Sequence, residues 1–461
     1  MLLLLGLLAG LCTLLLAGGG ITLLAFQGKA RLNFLEVVAL SWLFGTGAVS
    51  FLLWVGGAVF SGASLQFTVT AIALALGLFG FVRARKAGQR MVFPRPQTWV
   101  EGLLAAALVL ECGLLIYVSF SRGLGWDGLL NWEVKARYAF LNGGVMPAAY
   151  WSDVSRDFTH QSYPLWIPFT ELWLYLWMGE AQQFWIKLIF PACYFAGAIL
   201  LAVFGARLTG RRWIGLLTAT LLFFVPCLTN WPGGVQVGYV DVPLSMVYLG
   251  AIGYLLLQSD AIDPAQWRIM GLCLALLPWA KREGNVLWLI AALVGVFVLW
   301  RSGHSRRALL WLVPGFLIMM GWKFFYTAMG KGPGTEFLPV TWTNVTTNLP
   351  RAFPILRAVL EEMLLKSRWS LFWPIVALAF LALLLRARDR RLLILFFAVA
   401  APIGIYASAY VLSSWTSWMG HAEASLSRLL LHVMPVAWLA IALALRPPRI
   451  LAVKAGALGT A

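Results

Sequence analysis

Apolar stretches recur along this chain from end to end. Each is close to the length that crosses a ~30 Å hydrocarbon core as a helix. That recurrence leaves few folds open, because inside lipid the backbone must satisfy its own hydrogen bonds. Composition agrees. Of 461 residues, 61% are hydrophobic and 11% charged, where a soluble domain carries about a quarter charged residues. The expected fold is an all-α polytopic membrane protein, a single transmembrane domain over 1–461 with no soluble domain attached. The formal charge of +17 fits basic residues gathered in cytoplasmic loops. No basic stripe with interleaved stacking aromatics accompanies it, so a nucleic-acid partner is not expected. Cys12, Cys112, Cys193, Cys227 and Cys273 all fall inside apolar runs and form no CxxC, which suggests neither a disulfide framework nor a zinc site.

The runs give about thirteen spans: 2–25, 34–60, 66–82, 99–120, 183–206, 213–228, 240–257, 265–280, 284–300, 308–329, 369–385, 392–412 and 428–445. The first has no Lys or Arg ahead of it, unlike a secretory signal, and reads as a retained helix with its N-terminus outside. Charge tests the count. Lys29 and Arg31, the 83–95 cluster, Arg207, Arg211 and Arg212, Arg268, Arg301, Arg306 and Arg307, the 386–391 cluster with Arg388, and Arg446, Arg449 and Lys454 all fall on one side if the spans number thirteen. The positive-inside rule makes that side, and the C-terminus, cytoplasmic. The opposite face carries two long connections, 121–182 and 330–368, and most of the acidic residues. Chemistry is expected there, facing outward from a bacterial inner (plasma) membrane.

Five clusters mark that face. Asp127 follows the fourth span in Gly125-Trp126-Asp127-Gly128, where a carboxylate can take a proton from a hydroxyl or cap the helix that follows. The next residues, with Trp132, Ala136 and Phe140 on one stripe and Asn131, Lys135 and Tyr138 beside it, read as an amphipathic helix lying in the interface; Arg137 belongs to the same stretch. His160 precedes a Tyr163-Pro164 turn in an aromatic-rich segment whose tryptophans read mostly as an interface belt. Asp241 opens the seventh span in Gly238-Tyr239-Val240-Asp241-Val242-Pro243, where a charge needs a partner or water. Lys281-Arg282-Glu283 joins two runs of only about 24 Å at ~1.5 Å per residue, which sinks the turn below the surface. Lys and Arg there suit a phosphate. Last, Arg428 opens the final span on the outer side with His432 one turn deeper on the same face. Glu111 lies inside the fourth span.

In order and sidedness these clusters resemble the GT-C superfamily of membrane glycosyltransferases. The bacterial branch similar to the aminoarabinose and protein-mannosyl transferases (family 39-like) is closest. The likeness rests on Asp127 at the start of the first large outer loop and the His160-x-x-Tyr163-Pro164 turn. It rests equally on Gly238-x-x-Asp241-x-Pro243, Lys281-x-Glu283-Gly284 and Ser425-x-x-Arg428-Leu-Leu. It covers roughly 100–446, and implies a GT-C-like bundle with N-terminal helices over 1–98 and a catalytic core over 99–446. It also implies a hexosyl- or pentosyltransferase that takes its sugar from a polyprenyl-phosphate donor and passes it, with inversion and no covalent intermediate, to a lipid, glycan or protein acceptor. Asp127 would be the base, with His160 and Asp241 also catalytic. Lys281, Arg282 and Arg428 would meet the departing phosphate, aided by Lys135 or Arg137, with Tyr163, Glu283 and His432 lining the site. Asp127 is followed by Gly128 where the mannosyl-transferase pattern has an acidic pair, so no essential metal is expected, nor any cofactor. The competing readings are a transporter or flippase of lipid-linked sugars, which calls for internal repeats that are not seen, and an O-antigen-ligase-like or polymerase enzyme.

Overall fold

The computed structural model describes residues 1–230, 234–258, 261–302, 306–332, 334, 336–386 and 390–446. Arg388, Arg449 and Lys454, counted above among the loop cations, lie outside the described residues. Among those described, nine helices are long and apolar enough to cross a membrane. They are Leu2–Ala25, Phe34–Gly56, Gly62–Lys86, Trp99–Ser121, Gln183–Thr209, Glu283–Ser302, Arg307–Ala328, Arg391–Val411 and Trp418–Ala444. Arg212–Phe224, Asp241–Leu257 and Phe372–Leu385 are shorter apolar helices, and Pro264–Ala280 is a further helix of 17 residues. The chain is thus a helical multi-pass membrane protein. A two-stranded parallel ribbon, Arg31–Asn33 beside Arg90–Val92, departs from the all-α expectation.

Local chemistry sets the helix limits. Asn33 accepts hydrogen bonds from the Leu35 and Glu36 amides, and Asp263 accepts from the Ala265 amide with Pro264 at the first helical position. Backbones approach closely where side chains vanish. A Cβ on Gly18 would stand 1.8 Å from the Ser41 carbonyl oxygen, and one on Gly45 would stand 2.0 Å from that of Leu14. Only glycine permits the Leu2–Ala25 and Phe34–Gly56 helices to meet there, the small-residue contact typical of membrane bundles.

One end of the bundle is tied by ionic and polar bonds. Arg207 grips the buried Glu36 carboxylate with both guanidinium arms, one at 2.7 Å, and the Tyr254 hydroxyl donates to the same carboxylate at 2.8 Å. Arg268 donates to the Ala25 and Gln27 carbonyls, and Lys29 pairs with Asp263. Glu36→Gln should therefore lower stability by about 1–3 kcal/mol, the cost of unmaking hydrogen bonds to a charged group. Thermal unfolding in detergent measures this, and an unchanged midpoint would show the clamp to be idle.

The opposite end carries the long connections, and it differs from the sequence reading in three ways. First, the segment after Asp127 is not a strip laid on a surface. A π-helical turn, Gly128–Glu133, runs into Val134–Leu141, and Trp132, Lys135, Ala136 and Ala139 are all buried. Second, the tryptophans of 166–173 are core pegs rather than a belt. Helix Trp166–Met178 is almost wholly buried, its Trp166 indole donating to Thr46 Oγ1 and its Trp173 indole to the Gly10 carbonyl. The surface-lying amphipathic helix belongs to the second connection instead: Ala352–Leu364 buries Ile355 and Val359 and exposes Phe353, Leu356, Leu360 and Leu364. Third, the last helix starts at Trp418, so Arg428 lies ten residues inside it rather than at its opening.

Candidate active site

The loop-rich end gathers charges that are far apart in sequence. Asp241 begins the Asp241–Leu257 helix and is completely buried, where the helix N-terminus favours an anion. Its two oxygens take three hydrogen bonds and one further guanidinium contact. Lys281 Nζ and His432 Nε2 donate to Oδ1 at 2.9 and 2.8 Å, and Arg428 Nε and Nη2 both reach Oδ2 at 3.1 Å. A carboxylate so enclosed has no lone pair facing a substrate. It is bonded to three cationic or polar side chains, Lys281, Arg428 and His432, an arrangement that suits a positioning part better than the direct catalytic one expected.

Arg428 spends its other arm on Asp127, with Nη1 2.6 Å from Oδ2. Its guanidinium lies over the Tyr239 ring, 4.8 Å from the centroid, a cation–π contact. The Asp127 side chain makes no helix-capping hydrogen bond, so the capping alternative is not what this carboxylate does. Lys281 is buried in the turn between Pro264–Ala280 and Glu283–Ser302, the second of which is longer than expected, and it also pairs with Glu283 at 3.1 Å. Two carboxylates occupy two of its three N–H donors and leave one. The network Asp127–Arg428–Asp241–Lys281–Glu283, with His432 attached, thus unites the first loop, the Asp241 helix, the sunken turn and the last helix.

A stack of rings adjoins the network. Tyr163 lies between Trp132 and His160, at centroid distances of 5.3 and 5.2 Å, nearly parallel to both. Lys281 Nζ stands 5.5 Å from the Tyr163 centroid. Lys135, fully buried, donates to the His160 carbonyl at 3.0 Å and sits over the Trp132 ring. Burial pushes the Lys135 ammonium down to about 7, against the pull of Asp127. His160 adopts the left-handed backbone region at φ 46°, which costs a non-glycine residue strain and is a recurrent feature of functional turns. Its Nδ1 meets Glu336 at 3.3 Å, and Arg282 Nη1 reaches the same carboxylate at 3.5 Å and Ser162 Oγ at 3.4 Å. These partners, the His160 hydrogen bond first, hold the Glu336 carboxyl below its ordinary range.

Four residues fall elsewhere or were missed. Arg137 turns away from the cluster to Glu133 and the Ala181 carbonyl, because it lies on the far side of a buried helix. Glu111 joins none of these groups, and its Oε2 has no partner. Glu336 was seen only among the acidic residues of the outer face; the Gly330-Lys-Gly-Pro-Gly334 stretch before it offers no periodicity to point with. Tyr239 was in view as part of its motif, but nothing local betrays its place under Arg428. Among the described residues, no group of three or more His, Cys, Asp and Glu is arranged to hold a metal ion. An apolar cavity of about 380 Å³ lies close by, lined in part by Trp54, Val145, Met146, Leu165, Phe169 and Phe325. Trp54 packs on Trp279 and Trp322, and the Trp322 indole donates to the Ser162 carbonyl. No family model, curated protein or solved structure matches this chain.

Proposed function

We propose that the protein is a membrane glycosyltransferase that moves a sugar from a polyprenyl-phosphate donor to an acceptor hydroxyl at the outer face of the membrane. In this reading the chain crosses thirteen times, its N-terminus is outside, and the loop-rich end faces the periplasm or exterior. The gathering of loop cations on one side of the connections supports that orientation. The observation that carries the reading is the Arg428 bridge, which joins Asp127 to the Asp241–Lys281–His432 group within one network at that end. It puts a candidate base beside two cations that retain donors for an anion.

In such a reaction negative charge grows on the phosphate oxygen as its bond to the anomeric carbon breaks, and fixed cations in a site of low polarity stabilise it. Lys281 and Arg428 are already oriented, so they need little reorganisation when that charge appears. Asp127, at the mouth, takes the acceptor's proton. Arg282, tethered by Glu336 and Ser162, approaches from the loop side. The apolar cavity behind the Trp54–Trp279–Trp322 wall suits the first isoprene units of the lipid.

The test is transfer by the purified protein in liposomes, with a polyprenyl-phosphate-linked sugar and an alcohol acceptor, following release of polyprenyl phosphate. The wild-type chain should cleave the donor only with acceptor present. Lys281→Ala should raise KM for the donor by about tenfold or more, the loss of one charge-assisted hydrogen bond of about 1.5–3 kcal/mol, and leave KM for the acceptor little changed. Absence of donor cleavage by the wild type removes the proposal, and equal losses for both substrates remove Lys281 from phosphate binding.

A further inference from the structure

Arg428 has an unequal pair of partners. One edge of its guanidinium, Nε with Nη2, is committed to Asp241, which is buried, lies on a helix, and is fixed by Lys281 and His432 as well. The Tyr239 ring covers a face. The other arm, Nη1, holds Asp127, which stands at the start of the helical stretch that runs through Leu141. Asp127 is bound to the network through this one arm, whereas Asp241 is bound by three side chains. It is also the carboxylate at the accessible side of the network: side-chain exposure is 15% for Asp127 and 0% for Asp241.

We infer that a phosphate group entering the site takes Nη1 of Arg428 from Asp127, so that binding of the phosphate itself releases the carboxylate that acts next as base. The inference rests on the reading of the site as one for lipid phosphates. Its chemistry is a competition between two anions for one guanidinium arm, while Asp241 keeps the other edge and so keeps Arg428 in register. Arg suits such an exchange because its forked donors serve carboxylate and phosphate alike. Without phosphate, Asp127 is tied up and no base is on offer; with it, the base appears beside the anomeric carbon. In the step that follows, the acceptor oxygen bonds to that carbon, and the bond from the carbon to the phosphate oxygen breaks with its electron pair. The acceptor's proton passes to Asp127, and the lipid phosphate departs as the anion. Donor binding is thereby required before acceptor activation, which gives an ordered mechanism.

The sign of one binding measurement decides between this exchange and its absence. If Asp127 competes with phosphate for Arg428, Asp127→Asn should bind polyprenyl phosphate about tenfold more tightly than the wild type, ~1.4 kcal/mol, with nanodisc-embedded protein and no sugar present. Polyprenol, which lacks the phosphate, should bind both forms equally. Inorganic phosphate serves as a second arm. The same tightening there shows that the headgroup chemistry alone drives the exchange, whereas tightening for the lipid alone assigns it to the membrane-borne phosphate. Equal or weaker binding of both phosphates by Asp127→Asn overturns the inference. Infrared difference spectra give an independent reading on the wild type: polyprenyl phosphate should produce a carboxylate band that Asp127→Asn lacks, and identical spectra from the two forms count against the exchange. Exchange without sugar transfer would leave this inference standing and remove the proposed activity. Transfer without exchange would do the reverse.

Discussion

Asp241→Ala is expected to be the most damaging single change in the protein, and to act on folding rather than on chemistry alone. The substitution leaves Lys281, Arg428 and His432 around a buried space with one carboxylate fewer. Removing one partner of a buried ion pair costs about 3–5 kcal/mol, because the charge left behind keeps its desolvation penalty. Native stability is itself only about 5–15 kcal/mol. The variant should therefore reach the membrane in low yield and unfold in detergent well below the wild type. Asp241→Asn keeps the shape and two of the polar contacts, and should lie between the two. A wild-type melting profile for Asp241→Ala would mean that the network does not hold the helices together.

Asp127→Asn is the complementary case. Asp127 is bonded only at the mouth of the network, through one arm of Arg428, and the amide retains its size. Loss of a positioned general base lowers rates by about 10²–10⁴. We expect kcat for sugar transfer to fall within that range while yield, melting midpoint and donor cleavage products of the residual reaction stay the same. Activity close to wild type would take the proton-accepting role away from Asp127. A matching loss of yield would make it a structural residue like Asp241. The two substitutions thus separate a carboxylate that organises the site from one that works in it.

Much of the fold was legible because lipid leaves so little choice. The long apolar runs are largely helical, although 213–228 breaks at Val225. Lys281 is out of solvent as expected, but the helix after its turn, Glu283–Ser302, is 20 residues long rather than short. The meeting of Asp127, Asp241, Lys281, Arg428 and His432 could be anticipated from sidedness alone, since all fell at one end of alternating spans. What could not be read was who pairs with whom. Lys281 was expected either to meet an anionic ligand or to pair with Glu283; it does pair with Glu283, and it also finds Asp241. Such pairs join residues 40 or 187 positions apart, which no local pattern records. The depth of Arg428 was hidden for a different reason. The preceding turns carry His421, Glu423, Ser425 and Ser427, polar enough to look like a loop, although they are helical and pack against the second connection. The tryptophans of the first loop misled because an indole suits a headgroup layer and a polar-edged core equally well, and only the partners Thr46 and Gly10 tell the two apart.

The helix from Asp241 to Leu257 is a rod fastened near both tips: Asp241 is seized by three side chains at one end, and Tyr254 is anchored to Glu36 at the other. A rod fastened in this way cannot slide or rotate to admit a bulky guest without unmaking bonds at both of its ends at once. In the proposed reaction, room for substrates would then come from the two long connections rather than from this helix, and loop motion rather than helix motion would set the pace of turnover.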